Sequence, residues 1–342
     1  MLTLGDPAPC ACRAKVLRSG MDAKLLESFT YLFRVVQRAT TIKDDAELQI
    51  HRLKDLLASE SSARLPARIY AAHWQLYSAV KISDAQRACQ IINNLDEFLP
   101  TSEFVIARYP SEHDTSRSDD YIHSTLDSEH REYHGENYSP MLAPSSERFR
   151  ESSDALQRTI EKIRIVEETS IEELQSYVTE ISLMKSEYVN AGSSFTAFGF
   201  MYFHTLEKSH DWTTYLEHLI HETAHHHLYA VISSNPIFLP NSETFHSSPL
   251  RPEPRPMSAI FHQMFVLARV IRIVSLFQDH YPDEKSLRNI RTTYKSNAAG
   301  LSFESKFHHA ATTLLENAKL TDLGIELLER SVEMVNSSQI RY

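Results

Sequence analysis

Between Met257 and Phe277 the chain places Ile260, Phe261, Met264, Phe265, Val266, Leu267, Val270, Ile271, Val274, Leu276 and Phe277 so that a helix over them has almost no polar face. Such a helix must be covered by other elements on nearly every side, so it is expected to be buried at the centre of the fold. Its length would also suit a membrane span, but His262, Gln263, Arg269 and Arg272 interrupt it, and a lipid-facing segment tolerates those groups poorly. Pro256, at the end of a loop containing five other prolines, suits the first turn of this helix. Only 7 glycines occur in 342 residues, which favours helix over the turn-rich architectures that glycine punctuates.

Helical stripes account for most of the remainder. From Met21 to Leu99 four recur: Leu25, Phe29, Leu32, Phe33 and Val36; Ile50, Leu53 and Leu57; Ile69, His73, Leu76 and Val80; Ala88, Ile91, Ile92 and Leu95. Residues 1–99 are therefore read as an N-terminal helical lobe. From Pro100 to Pro140 the periodicity fails; Ser111 to Ser139 holds hardly any aliphatic residue, so 100–144 is expected to be a flexible polar insertion, its four histidines solvated. Order returns in 145–342, the expected catalytic domain. Leu156, Ile160 and Ile163 mark a helix there; Ser170 to Glu173 has the form of a capping box for a second, with Leu174, Val178 and Ile181 on one face. Gly192 to His204 is aromatic and β-favouring, one long strand or a hairpin. Asp211 suits the N-cap of the helix after it.

A net charge of −10 gives nucleic acid or an anionic membrane no whole-molecule attraction, so neither is an expected partner. No apolar secretory segment with a basic flank is visible, and three cysteines, Cys10, Cys12 and Cys89, fit a reducing compartment better than a disulfide framework. The expected location is the cytoplasm.

The chemistry concentrates in His221-Glu-Thr-Ala-His225, an HExxH motif on a helix. Histidines four apart lie on one helical face, where both imidazoles can address one ion. His218 shares that face, while Glu222, His226 and His227 turn away from it; a merely solvated histidine-rich face is the bland alternative. A third ligand is needed. The metzincin spacing is absent, since Val231 stands six residues after His225. Glu243 and His246 are loop candidates; His262 is preferred, because a titratable ring on an apolar helix needs a partner. Arg251, Arg255 and Arg269 lie close by in sequence, and a guanidinium fork matches a carboxylate, as an iron site using 2-oxoglutarate requires.

Four ordered blocks carry a family resemblance: Ser194-Phe-x-Ala-Phe-Gly199, Glu217-His-Leu-Ile-His-Glu-x-Ala-His225, Ser248-Pro-Leu-Arg-Pro-x-Pro-Arg-Pro256 and His262-x-x-Phe-Val-x-x-Arg269. Together they resemble the 2-oxoglutarate-dependent HExxH-type peptide β-hydroxylases encoded with peptide natural-product clusters. The match spans roughly Gly192 to Val274 and departs at Gln263, where the family commonly has Gly. The resemblance implies a mainly α fold with a small β element and a zincin-like core. It implies Fe(II), O₂ and 2-oxoglutarate acting on the β-carbon of a side chain in a ribosomally made precursor peptide. His221, His225 and His262 would hold iron, Arg255 the cosubstrate carboxylate with Arg251 or Arg269 as substitutes, and Glu222 would orient a ligand or bound water. Ser194, Phe195 and Phe198 would align the peptide. Two rivals are a zinc metallopeptidase with Glu222 as general base and a non-catalytic helical binding protein; the sequence leaves a homodimer open.

Overall fold

The computed structural model describes the chain apart from residues 1–2, 40–44, 60–62, 95–98, 110–120, 136–137, 188, 206–211, 241–243, 249–252, 289, 291–300 and 342. The fold is mainly helical with a small sheet. In chain order the elements are α1 (Ala11–Ala39), α2 (Asp45–Ser59), α3 (Ala67–Lys81), α4 (Ala85–Asn93), β1 (Val105–Arg108), α5 (Tyr121–His134), α6 (Ser146–Val166), α7 (Glu168–Tyr177), β2 (Glu180–Met184), β3 (Ala191–Ser193) and β4 (Phe200–His204). They continue with α8 (Trp212–Ile232), β5 (Phe245–His246), β6 (Arg255–Pro256), α9 (Met257–His280), α10 (Lys285–Arg288), α11 (Phe303–Asn317) and α12 (Asp322–Asn336).

The chain divides into two compact units interleaved along the sequence. One, the histidine unit, comprises Met1–Ala14, Arg150–Leu174 and Leu206–Tyr342; the other, the sheet unit, comprises Lys15–Phe149 and Gln175–Thr205. The sequence suggests a serial division at 99 and 144 instead. Composition marks where ordering tendency changes, whereas compactness depends on which distant segments pack together, and that is not a local property.

In the sheet unit the four strands run in the order β1-β2-β4-β3. β1 pairs with β2 and β2 with β4 in parallel; β3 runs antiparallel to β4, with Gly192 opposite Tyr202. A single 3₁₀ turn, Phe195–Ala197, joins β3 to β4, so the aromatic stretch is a hairpin rather than one strand. β2 corrects the expectation of a continued helix: α7 ends at Tyr177, and Ile181, Ser182, Leu183 and Met184 are all fully buried. A strand covered on both faces loses the alternation that would announce it, and a short apolar run then reads equally well as helix.

Residues 100–144 are likewise not a featureless insertion. They supply β1 and α5, and α5 buries Tyr121, Ile122, Thr125 and Leu126. The ring of His123 packs edge-on to Tyr109 with centroids 4.3 Å apart, and Nε2 of His130 lies 2.9 Å from the Tyr202 hydroxyl. Polar composition hid the helix because its apolar contacts are few and mostly at its N-terminal end; His113 lies outside the described residues.

Beneath the sheet unit's aromatic core is a buried ion pair. Arg18 Nε donates to Asp22 Oδ1 at 3.0 Å, and Asp22 also accepts from the Tyr70 hydroxyl at 2.6 Å and the Leu65 amide at 3.2 Å. Burial, and then the Asp22 charge, push the Tyr70 phenol well above its ordinary value. Arg18 reaches the carbonyls of Tyr177 and Leu65. Gly199 closes against this group at φ +95°, where a Cβ would meet Arg18 Nη1 at 2.9 Å and the Tyr177 carbonyl at 3.2 Å. The last glycine of the first resemblance block is therefore a backbone requirement.

In the histidine unit α9 is the central helix, in contact with α8, α10, α11, α12 and β6. Phe261, Phe265 and Phe277 are wholly enclosed. α9 is the one described helix long and apolar enough to cross a membrane, and 83% of its most apolar window is buried within the protein. Pro256 is the cap residue, extended at φ −60° and ψ 148°, with the first helical turn beginning at Met257. The short β5–β6 ladder pairs Phe245 with Pro256 and His246 with Arg255, and the Met257 amide donates to the Thr244 carbonyl at 2.8 Å. These bonds fix the start of α9. The capping-box reading fails at α7, which begins at Glu168 with Ser170 inside it, its hydroxyl 2.5 Å from Glu167 Oε2. Asp211 lies outside the described residues.

Candidate metal centre

The motif helix α8 is buried along most of its length, polar residues included: His218, His221, Glu222, His226 and His227 are each at most 7% exposed. A solvated histidine face is thus overturned. Buried polar groups need partners, and Glu217 supplies two. Its Oε2 lies 2.7 Å from His218 Nδ1 and its Oε1 3.1 Å from His221 Nδ1. Burial opposes ionisation of Glu217, but these hydrogen bonds and the histidine charges hold its carboxyl down at about 2. Burial likewise works against a charged His221; the hydrogen bond to Glu217, its charge and that of Glu222 outweigh it, and His221 is raised. His226 Nδ1 lies 2.9 Å from the Glu222 carbonyl one turn back.

One cavity, about 380 Å³, opens beside α8 and the first half of α9. His221, His225 and Tyr229 line it from α8; Ser258, Ala259, His262, Gln263, Val266 and Leu267 from α9; Arg255 and Ser248 from the β5–β6 segment. All three residues of the sequence-derived triad therefore line one cavity. Nδ1 of His225 and Nδ1 of His262 are 3.3 Å apart. Two nitrogen ligands of one ion, each bonded at about 2.0–2.1 Å, must stand about 3 Å apart. At this separation the pair shares a hydrogen when alone and has the spacing to share a cation. Burial lowers His262 to about 4, and burial with the charges of His221, His262 and His226 lowers His225 well below its usual range. Both rings are thereby kept neutral, the form that donates a lone pair. His221, with Nδ1 turned to Glu217, has the carboxylate–histidine arrangement that fixes the tautomer of a ligating ring. By donor chemistry the residues fit a first-row metal, although among the described residues no three of His, Cys, Asp or Glu are already drawn around one point.

The arginines separate. Arg255 lines the cavity; Arg251 lies outside the described residues. Arg269 does not reach the cavity and is removed as a cosubstrate candidate. It is 4% exposed and ion-paired with Glu173, whose other oxygen is 3.2 Å from His227 Nδ1. Burial raises Glu173, but the Arg269 charge and His227 hold it down at about 2. The spacing of seven residues from His262 put Arg269 on a related face, yet α9 is covered all round, so sharing a face did not mean sharing a cavity. His246 sits on β5 outside the cavity lining, and Glu243 is not among the described residues.

Glu222 is 2% exposed and is not part of the cavity wall. Ser194, Phe195 and Phe198 belong to the sheet unit. Phe198 is fully buried against Tyr70 and Tyr177, which corrects its assignment as a substrate contact. Phe195 is 47% exposed at the hairpin turn. The hydroxyls of Ser194 and Thr196 donate to Glu129 Oε1 at 3.1 and 2.5 Å.

Sequence reasoning passed over Tyr229, whose ring stacks with His225 at 6.0 Å between centroids and lies tilted against His262 at 5.4 Å. The signal was present: Tyr229 stands four after His225, one turn along the same face. Glu217 stands four before His221 and was legible in the same way. Ser258 had no such marker. No family model matches the chain, and no curated protein matches it.

Proposed function

We propose that the protein is an Fe(II)- and 2-oxoglutarate-dependent hydroxylase on a zincin-like core, acting on the β-carbon of a side chain in a ribosomally made peptide. The observation that carries the reading is that three imidazoles and Arg255 line one cavity whose described lining does not include Glu222. His221, His225 and His262 would hold the iron, and Glu217 fixes the first of them. Iron, O₂ and 2-oxoglutarate together supply the oxidising power needed at an unactivated carbon. The chain's own residues bind and exclude. Arg255 would take the distal carboxylate of the diacid, and Ala259, Val266 and Leu267 make an apolar wall that keeps water from the reacting carbon. Glu222 acts through its charge on His221 rather than as a base on substrate.

Peptide hydrolysis on zinc would instead need Glu222 beside a metal-bound water. Imidazole ligands accept either metal, so the discrimination is made by experiment. Anaerobic protein given Fe(II) and then 2-oxoglutarate should develop a weak visible charge-transfer band, lost in His221→Ala and His262→Ala and weakened in Arg255→Ala. Absence of the band, with stoichiometric zinc and peptide cleavage abolished by Glu222→Gln, would overturn the proposal in favour of a peptidase. Binding of neither metal would leave a helical binding protein.

A further inference from the structure

We infer that Gln263 sets the length of the diacid that the cavity accepts, with Ser248 holding its carboxamide in place; the inference rests on the 2-oxoglutarate reading above. Gln263 follows His262 directly and lines the same cavity, as does Ser248. The Ser248 hydroxyl donates to Gln263 Oε1 at 3.1 Å. This bond ties the segment after β5 to α9 beside the cavity, and the His246–Arg255 pairing places Arg255 opposite the end of β5, two residues before Ser248.

Volume gives the bond its consequence. Small-molecule sites commonly measure about 300–1,000 Å³, and this one, at about 380 Å³, lies near the lower limit. A metal, a five-carbon diacid and the tip of a peptide side chain must share it. A glutamine side chain in the wall is then a sizeable part of the space, and its position decides how far a diacid can extend. Its chemistry suits the same task. The Ser248 bond takes one lone pair of Oε1 and leaves the amide a second lone pair and two N–H donors, so Gln263 bounds the diacid's space with a polar edge held in one position.

The test uses the full chain loaded anaerobically with Fe(II) and titrated with 2-oxoglutarate or with 2-oxoadipate, one methylene longer, while the charge-transfer band is followed. The wild type should prefer 2-oxoglutarate. Gln263→Ala should shift the affinity ratio toward 2-oxoadipate by about fourfold or more, the effect of accommodating one methylene. Gln263→Asn and Ser248→Ala should move it the same way by less. An unchanged ratio in Gln263→Ala overturns the inference while leaving the hydroxylase reading intact. So does a variant that keeps Fe(II) but binds neither acid, because Gln263 would then be a holding group rather than a limit on length. No band with either acid in the wild type overturns the underlying reading itself, and the inference with it.

Discussion

Glu217 lies outside the cavity lining, yet it holds His221 by Nδ1 and itself stays ionised in a buried setting, so metal binding at the proposed site would depend on it. Removing such an outer partner typically costs 10- to 100-fold in metal affinity. Glu217→Gln should therefore weaken Fe(II) or Zn(II) binding by about that factor, measured by competition with a chelating dye, with the circular dichroism of the protein unchanged. Gly199 makes a backbone test of the same precision. At φ +95° and with Arg18 and the Tyr177 carbonyl in the way of a Cβ, Gly199→Ala should lower unfolding free energy by about 1–3 kcal/mol in a denaturant titration. A change within a few tenths would show that the turn relaxes without strain.

Among the elements, α7, α8 and α9 are tied by one buried set: Glu173 with Arg269 and His227. Breaking a buried pair on one side leaves an uncompensated charge and costs about 3–5 kcal/mol. Glu173→Gln should approach that loss, and Arg269→Met combined with Glu173→Leu should recover much of it. A double variant no more stable than the single ones would refute the account. These elements also show what the sequence could convey. α9, α8 and the helical stripes of α1, α3 and α4 were legible because a one-sided or all-round apolar pattern is a local consequence of burial. His221, His225, His262 and Arg255 were legible for a related reason, their spacing or setting being unusual for core. β2 and α5 were not legible: one is buried on both faces, the other has few apolar contacts, and each owes its state to segments far away in the chain. Arg269 was misplaced because face-sharing on a helix does not say which neighbour covers which turn.

At the scale of the whole molecule, stability should fall with acid across two overlapping pH windows. His73 is pressed down from 6.5 to about 4 by burial, so the unfolded chain binds this proton more readily than the folded one. Its contribution is fully present above pH 6.5 and is lost as pH falls toward 4, on the order of 3 kcal/mol in all. Glu173 behaves differently: its folded value is about 2 against 4.5, so its contribution is present above pH 4.5 and disappears as pH falls through 2. Denaturant midpoints measured from pH 7.5 to 2 should fall first between 6.5 and 4, where His262 and His225 contribute in the same direction, and His73→Gln should remove part of that slope. The interleaving of the units gives a second expectation. A chain ending at Phe149 lacks β2, β3 and β4, three of the four strands of its sheet, and should not fold cooperatively when expressed alone.

The centrality of α9 also has a temporal side. It is made before α11 and α12, the helices that cover much of it, so a released chain that stops at His280 carries a 24-residue, largely apolar helix with part of its shelter missing. In such a product the segment resembles an insertion signal to any machinery that reads apolar length alone. Prematurely terminated and released products ending near residue 280 should be clients of chaperones that shield apolar segments, while those reaching the end of α12 should escape them.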